Sequence, residues 1–378
     1  MKKIIIFIIF SVLLINCSSQ KYTKQGLYFK IPITHIIPKT ENPEIFKAKD
    51  VNDGIPKSII YIIADGAGIG QFTLHYYTSE ESSFGKFDHV GLQTTHPLDK
   101  EKRVTDSAAA GTALATGKKV YRKNVSYLDG EPIKTVIEWA EELKMATGLI
   151  ATAKVNHATP ATFGSHAVSR YDYDDIFVQL LQSEIDIILG GGAKYMNDSM
   201  QTIANQNNVS IVYDFDKVKS TEGKIMGLFA DDALDLDYAN RFPTTLDMTI
   251  SALEKLESNG KGFFLMVEES QIDWAGHINN AGYIKSDMQS LEDLTKYCLD
   301  YQSKHPDVLV ILTADHETGG VAVYDEDKDN LSIQYIGNHH SANFVPIFAT
   351  GPGASAFDTI IDNSEIGKQL IKYVRNRD

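Results

Sequence analysis

The chain of 378 residues is 43% hydrophobic and 23% charged, a globular composition that excludes disorder, collagen and coiled coil and suffices for one large α/β domain. Against 36 Lys and Arg stand 50 Asp and Glu, a net charge of -14 that repels polyphosphate backbones and argues against nucleic-acid sequence recognition.

From the N-terminus, Lys2 and Lys3 precede an apolar run over residues 4–15 that only Ser11 interrupts. The run is shorter than a membrane span and has the length of an export-signal core. Leu14-Ile-Asn-Cys17 follows the pattern of a bacterial lipobox, although Asn16 stands where a smaller residue is commoner. Residues 1–17 are therefore expected to be a signal peptide ending at a lipidated Cys17, which makes the protein an exported periplasmic or outer-membrane lipoprotein. The alternative is an ordinary cleaved signal and a soluble periplasmic or secreted protein. With Cys17 lipidated, Cys298 has no disulfide partner and reads as a small buried apolar residue. Residues 18–55 carry Pro32, Pro38 and Pro43 among polar residues and read as a tether and surface arm.

Residues 56–378 form the expected catalytic domain. Apolar, β-branched runs predict strands over 58–64, 147–153, 185–189, 262–267, 308–313 and 345–349. Helical spacing predicts helices over 107–116, 133–144, 173–182, 244–257, 285–302 and 365–374. This alternation predicts a three-layer α/β/α fold with a large, mostly parallel central sheet. Residues 195–242 are less regular and read as a surface excursion.

Three of the predicted strands run into carboxylates: Asp65, Glu268, and Asp315 with His316 beside it. Open α/β sheets bind ligands outside the carboxyl ends of their strands. Acids converging there would repel one another without a cation between them. One such acid marks only a strand leaving the core; three, with histidines at short spacing, favour a metal site. Asp273-Trp-Ala-Gly-His277 sets an acid and an imidazole four residues apart, on one face if helical. His340, in Asn338-His-His-Ser341, precedes the 345–349 run. Oxygen and imidazole donors without thiolates suit catalytic zinc, or manganese or cobalt.

Ser107 follows Thr105-Asp106 and leads a run of alanines, which places it at or near a helix N-terminus, where free N–H groups favour an anion. Taken alone, a Ser or Asp there is better read as a helix cap. With a metal cluster elsewhere in the chain Ser107 becomes a candidate nucleophile, because zinc lowers the proton affinity of a bound oxygen.

Asp65-Gly-Ala-Gly68, Thr105-Asp-Ser-Ala108, His157-Ala-Thr-Pro160 with Ser169-Arg170, the stretch from Glu268 to His277, Thr313-Ala-Asp-His-Glu-Thr-Gly-Gly320, and His340-Ser341 with Val345-Pro346 together resemble the alkaline phosphatase family. They stand in the family's order and at its spacings, and the resemblance spans residues 57–376. It implies a homodimer that hydrolyses small phosphate monoesters with two zinc ions and one magnesium ion per subunit. Asp273, His277 and His340 would hold the first zinc, which binds the leaving-group oxygen and later the attacking water. Asp65, Asp315 and His316 would hold the second, which activates Ser107. Asp65, Thr159 and Glu268 would hold the magnesium. Ser107 would form a phosphoserine, and Arg170 would clamp two phosphate oxygens through its planar fork. His157, Trp274 and Asp106 would lie one layer behind these. His157 stands where the best-studied bacterial pattern has Asp, and Trp274 where it has Lys, which bears on magnesium affinity, phosphate release and pH optimum but leaves the reaction unchanged. All the implied residues address phosphate, so weak selectivity for the alcohol is expected.

His339 is the alternative to His340, and the spacing to Val345-Pro346 favours His340. His166 reads as structural, and His35, His75, His89, His96 and His305 as surface or packing residues. Gly190-Gly-Gly192 reads as a tight turn. Asp65-Gly-Ala-Gly-Ile-Gly70 lacks the G-x-G-x-x-G spacing of a dinucleotide loop. Sulfatases need a C/S-x-P-x-R context that Ser107-Ala-Ala-Ala-Gly111 lacks, superfamily phosphodiesterases use a Thr and another ligand pattern, and metal-dependent phosphoglycerate mutases lack the Asp-Ser-Ala start. A silent phosphate- or metal-binding lipoprotein is the rival from another class, and it would carry every expected ligand without using it.

Overall fold

The computed structural model describes residues 53–376. The signal, Cys17, His35 and nearly all of the 18–55 arm lie outside the described residues. Ten strands form one sheet: β1 (Ser58–Ala64), β2 (His89–Thr94), β3 (Ala146–Lys154), β4 (Ile187–Gly191), β5 (Val209–Val212), β6 (Lys224–Leu228), β7 (Phe263–Glu269), β8 (Val308–Thr313), β9 (Val345–Thr350) and β10 (Ile360–Asp362). Their spatial order is β10-β2-β9-β8-β1-β7-β3-β4-β6-β5. Only β9 runs against the others, pairing antiparallel with both β8 and β2.

The helices are α1 (Ile69–Thr78), α2 (Ser107–Thr116), α3 (Val136–Glu142), α4 (Ala158–Gly164), α5 (Tyr173–Gln182), α6 (Asp198–Gln206), α7 (Thr245–Leu256), α8 (Gln271–His277), α9 (Ala281–Lys304) and α10 (Asn363–Arg375). Alternate side chains of β1 show the three layers, because successive strand residues point to opposite faces. Ile59, Tyr61 and Ile63 enter one core with residues of α2 to α6 and α10. Ile60, Ile62 and Ala64 enter the other with residues of α1, α7, α8 and α9. A parallel sheet covered on both faces needs apolar residues at every position, and all seven residues of β1 are buried.

The boundaries follow local chemistry. The 133–144 helix begins only at Val136, because Thr135 caps it and Glu138 closes a capping box. It ends at Glu142, and Lys144 beyond it adopts φ 62. Gly190 and Gly191 complete β4, so only Gly192, at φ 108, turns. The 195–242 stretch is no excursion: it supplies α6, the edge strand β5 and its neighbour β6. β5 is four residues long and half its positions are only partly buried, so it leaves a weak pattern. Cys298 is buried on α9 with a free thiol.

Candidate metal and phosphate site

The parallel register brings the acids to one level. Ile63 of β1 lies beside Glu268 of β7 on one side and Thr313 of β8 on the other. Asp65 and Asp315 each follow two residues on, at the same carboxyl edge of the sheet. β9 runs in reverse, so it begins at this edge, and the segment leading into it carries His340. A two-residue ladder, with Thr318 opposite His340, pins that segment beside His316. α8 follows β7 directly and holds Asp273 and His277 one turn apart.

Two groups of donors result, each with its ligand atoms within 4.8 Å of one another: Asp273, His277 and His340, and Asp65, Asp315 and His316. In the first, the Nε2 atoms of His277 and His340 are 3.2 Å apart, and each is 3.3–3.4 Å from an Asp273 oxygen. In the second, His316 Nε2 is 3.1 Å from Asp315 Oδ2 and 3.6 Å from Asp65 Oδ1.

The tautomers follow from the other ring atoms. His277 Nδ1 lies 2.8 Å from the carbonyl oxygen of Asn338, and His340 Nδ1 lies 3.0 Å from that of Thr105. A carbonyl only accepts, so each Nδ1 carries a proton, and in the neutral ring it is Nε2 that holds the lone pair. The Thr318 hydroxyl donates to Asp273 and so accepts from Nδ1 of His316 at 3.3 Å, which leaves His316 Nε2 with its lone pair as well. Thr318, Asn338 and Thr105 therefore orient the three imidazoles. Sequence reasoning assigned them no role, since a carbonyl's target carries no local signal.

Beside these groups, Glu268 is fully buried and neither of its carboxylate oxygens has a hydrogen-bond partner. The same holds for both oxygens of Asp65, for Asp315 Oδ2 and for the Thr159 hydroxyl. Against the larger effect of burial, Ser270 and, after it, Asp65 and Thr159 pull the Glu268 titration down. On the protein's own charges, burial pushes Asp65 well above the usual carboxylate range, with Asp315 and Asp273 adding to it. Burial pushes Glu268 to about 8 and Asp315 to about 6. Burial also acts on Asp273, but the imidazoles of His277 and His340 outweigh it and hold that carboxyl well below its usual range. Hydrogen bonding to Asp273 in turn carries His277 up to about 9. Protons on both facing Nε2 atoms would repel each other, whereas one metal ion answers both lone pairs and the carboxylate at once. Orphaned buried carboxylates and converging imidazoles thus fit divalent cations, with N/O donors in two groups and oxygen donors alone in Asp65, Thr159 and Glu268.

Ser107 is 2% exposed and its Oγ lies 3.2 Å from His316 Nε2. It is the first residue of α2, but it does not cap that helix. Asp106 does, accepting the Ala109 N–H at 3.1 Å, and this leaves the Ser107 hydroxyl facing the acids. All ten residues of α2 are buried, which its alanines permit by letting neighbours approach closely. Gly111 is required there, since a Cβ would lie 2.6 Å from the Thr162 hydroxyl of α4. Asp106 also accepts the Lys123 N–H and the Arg170 guanidinium, the latter at 3.4 Å. The other arm of Arg170 lies 3.4 Å from His157 Nε2. Burial, with the Arg170 charge, pushes His157 down to about 3, so it is neutral. Trp274 stands edge-on to His157 at 5.8 Å.

Gly66 holds this assembly together. It adopts φ 79, and a Cβ would lie 2.5 Å from Asp273 Cα. Gly66→Ala is expected to lower stability by roughly 1–3 kcal/mol and to separate the two acids, as a reduced melting temperature and loss of one metal equivalent would register.

The remaining histidines lie apart from the clusters. His166 bridges the Ser126 carbonyl and Glu138, His75 pairs with Glu292, His305 stacks on Tyr301, and His89 and His96 face Asp358 and Asp362. His339 is exposed and contributes only its carbonyl, to Gly319 N.

The family model for alkaline phosphatase matches residues 56–336. Alkaline phosphatase 3 of Bacillus subtilis is 39% identical over 349 residues, covering 87% of this chain and 73% of the relative. The structure of alkaline phosphatase from the Antarctic bacterium TAB5 superposes with a TM-score of 0.81 at 32% identity, covering 86% of this chain and 100% of that one. A single-residue variant of the TAB5 enzyme, with Mg bound in the M3 site, gives 0.80 at 31% identity, covering 86% of this chain and 99% of that one.

Proposed function

The chain belongs to the alkaline phosphatase family, and from that premise we propose that this phosphate monoester hydrolase works through a phosphoserine on Ser107, with two zinc ions and one magnesium ion. The observation that carries the proposal is the set of buried, partnerless carboxylate oxygens on Asp65, Glu268 and Asp315, in a cluster whose His316 faces the Ser107 hydroxyl. Asp273, His277 and His340 would hold one zinc, Asp65, Asp315 and His316 the other, and Asp65, Thr159 and Glu268 the magnesium. When bound, these cations lower the proton affinity of nearby oxygens and offset the charge of the phosphate.

The chain's own residues do the rest. Arg170 offers two parallel N–H groups to two phosphate oxygens, and Asp106 sets the plane of its guanidinium. The N-terminus of α2 adds its dipole on the same side. Ser107 Oγ gives up its proton as it attacks phosphorus, the phosphorus–oxygen bond to the alcohol breaks and that oxygen takes up a proton, and water then cleaves the phosphoserine, returning the Ser107 hydroxyl and releasing inorganic phosphate. His157 and Trp274 pack behind the clamp and limit its movement.

The proposal includes export through the 1–17 segment with lipid on Cys17, supported by Lys2-Lys3, the apolar run and the lipobox-like Leu14-Ile-Asn-Cys17. Among the described residues no helix is long and apolar enough to cross a membrane. A homodimer is supported by family membership alone.

Phosphate release by the zinc- and magnesium-loaded protein tests the reaction class. A monoester is expected to turn over readily, and a diester and a sulfate ester of the same alcohol far more slowly. Faster hydrolysis of either of those two would replace this reading.

A further inference from the structure

We propose that Glu317 is a positioning residue for the Asp273, His277 and His340 group: through the Ser341 hydroxyl it holds the segment that carries His340 against the turn that follows His316. The inference rests on the zinc reading and deepens it, because it gives a carboxylate that is no ligand the task of keeping the two donor groups in register.

Glu317 directly follows Asp315 and His316, yet both of its oxygens are taken up elsewhere. The residue is 2% exposed. Oε1 accepts the Gly320 N–H at 2.8 Å, the Val321 N–H at 3.2 Å and the Gln71 amide at 3.4 Å. Oε2 accepts the Ser341 hydroxyl. Asp65, Glu268 and Asp315 all carry orphaned oxygens that call for a cation, whereas Glu317 is satisfied by hydrogen bonds alone.

Its donors come from the segments that supply the ligands. Ser341 directly follows His340. Gly320 and Val321 close the turn after His316, where Gly319 and Gly320 adopt φ 96 and 62. Gln71, on α1, also donates to the Thr318 carbonyl at 2.8 Å and accepts the Gly68 N–H at 3.0 Å, which ties in the loop leading from Asp65. Gly68 leaves the room for this, since a Cβ there would lie 2.2 Å from Glu317 Cγ.

The bond to Ser341 bears on His340 directly. In the two-residue ladder Ser341 lies opposite Glu317 and His340 opposite Thr318. Successive side chains point to opposite faces, so Thr318 and His340 share one face and Glu317 and Ser341 the other. The first face carries the contacts of Thr318 and His340 to Asp273. Glu317 therefore grips the ladder from the face away from the zinc ligands. The segment needs that grip, because residues 336–339 and 342–344 on either side are exposed. A hydrogen bond to a carboxylate is about twice as strong as a neutral one, and burial shields this one from water.

The test titrates metal-free wild type, Ser341→Ala and Ser341→Thr with zinc in a competing chelator, magnesium being present throughout. Ser341→Ala is expected to bind one zinc as the wild type does and the other about 10- to 100-fold more weakly. Its turnover should return toward the wild-type value in excess zinc. Ser341→Thr restores the hydroxyl and should restore the affinity. Glu317→Ala should weaken the same zinc, and Ser341→Ala added to it should weaken that zinc no further, because both remove one bond. Unchanged affinity in Ser341→Ala, equal weakening of both zinc ions, or a threonine variant as weak as the alanine one overturns the positioning role. A wild type that binds no zinc overturns the metal reading and this inference with it.

Discussion

Ser107→Ala is expected to lower kcat/KM for a phosphate monoester by about 10³- to 10⁶-fold, the range seen when a nucleophile is deleted and binding groups remain. The substitution isolates chemistry from folding. Asp106 caps α2, so Ser107 carries no capping bond, and alanine is the strongest helix former at the vacated position. Stability should therefore stay within about 0.5 kcal/mol of the wild type. Metal content should also be unchanged, because no donor of either group is touched. Steady-state kinetics, a melting curve and metal analysis on the same preparation check all three points. A variant that keeps most of its turnover would mean that water attacks the ester directly and that Ser107 is only packing. A loaded wild type with no turnover, matched by the variant, would favour the silent binding protein instead.

Removing the metals is expected to abolish turnover and to destabilise the fold by an amount that grows with pH. In the stripped protein Glu268 titrates at about 8 and Asp315 at about 6, both raised by burial. In the unfolded chain such carboxyls titrate near 4. The folded state therefore holds protons that the unfolded state has already lost. The stability this contributes is complete below about pH 4 and disappears as pH rises through 6 and then 8. Bound cations reverse the dependence, because they favour the ionised carboxylates. The melting temperatures of stripped and reloaded protein should thus lie closest near pH 5 and differ by about 10 °C or more at pH 8 to 9. Melting curves across that range, with metal content verified, decide the matter. A gap that stays constant with pH, or full activity after verified removal, contradicts the account.

The fold class was legible because the central strands are covered on both faces, and continuous apolar runs such as 58–64 and 308–313 admit few other readings. The edges were not. β5, β6 and β10 are short, and α6 is two-thirds polar, so their periods fall below what a window of residues can detect. α1 and α4 were missed for another reason. α1 begins right after the Gly-rich 65–68 turn, and α4 carries Thr159, Pro160 and Thr162 within its own seven residues, compositions that read as loop until the strands behind them are in place.

What the sequence by itself determined is the chemical inventory: acids at strand ends, an Asp-x-x-x-His turn, a serine leading an alanine helix, and an apolar sheet to carry them. These are local properties, set by a residue and its near neighbours. Which atoms face the site was decided only by tertiary structure. The His340 proton is placed by a carbonyl 235 residues away and the His277 proton by one 61 residues away. Asp106 rather than Ser107 caps α2, and Lys123 is bent to a positive φ by bonds to Asp106 and Arg170. Hydrogen-bond direction and electrostatic burial depend on distances between segments remote in the chain, and the packing of the folded sheet and its helices sets those distances.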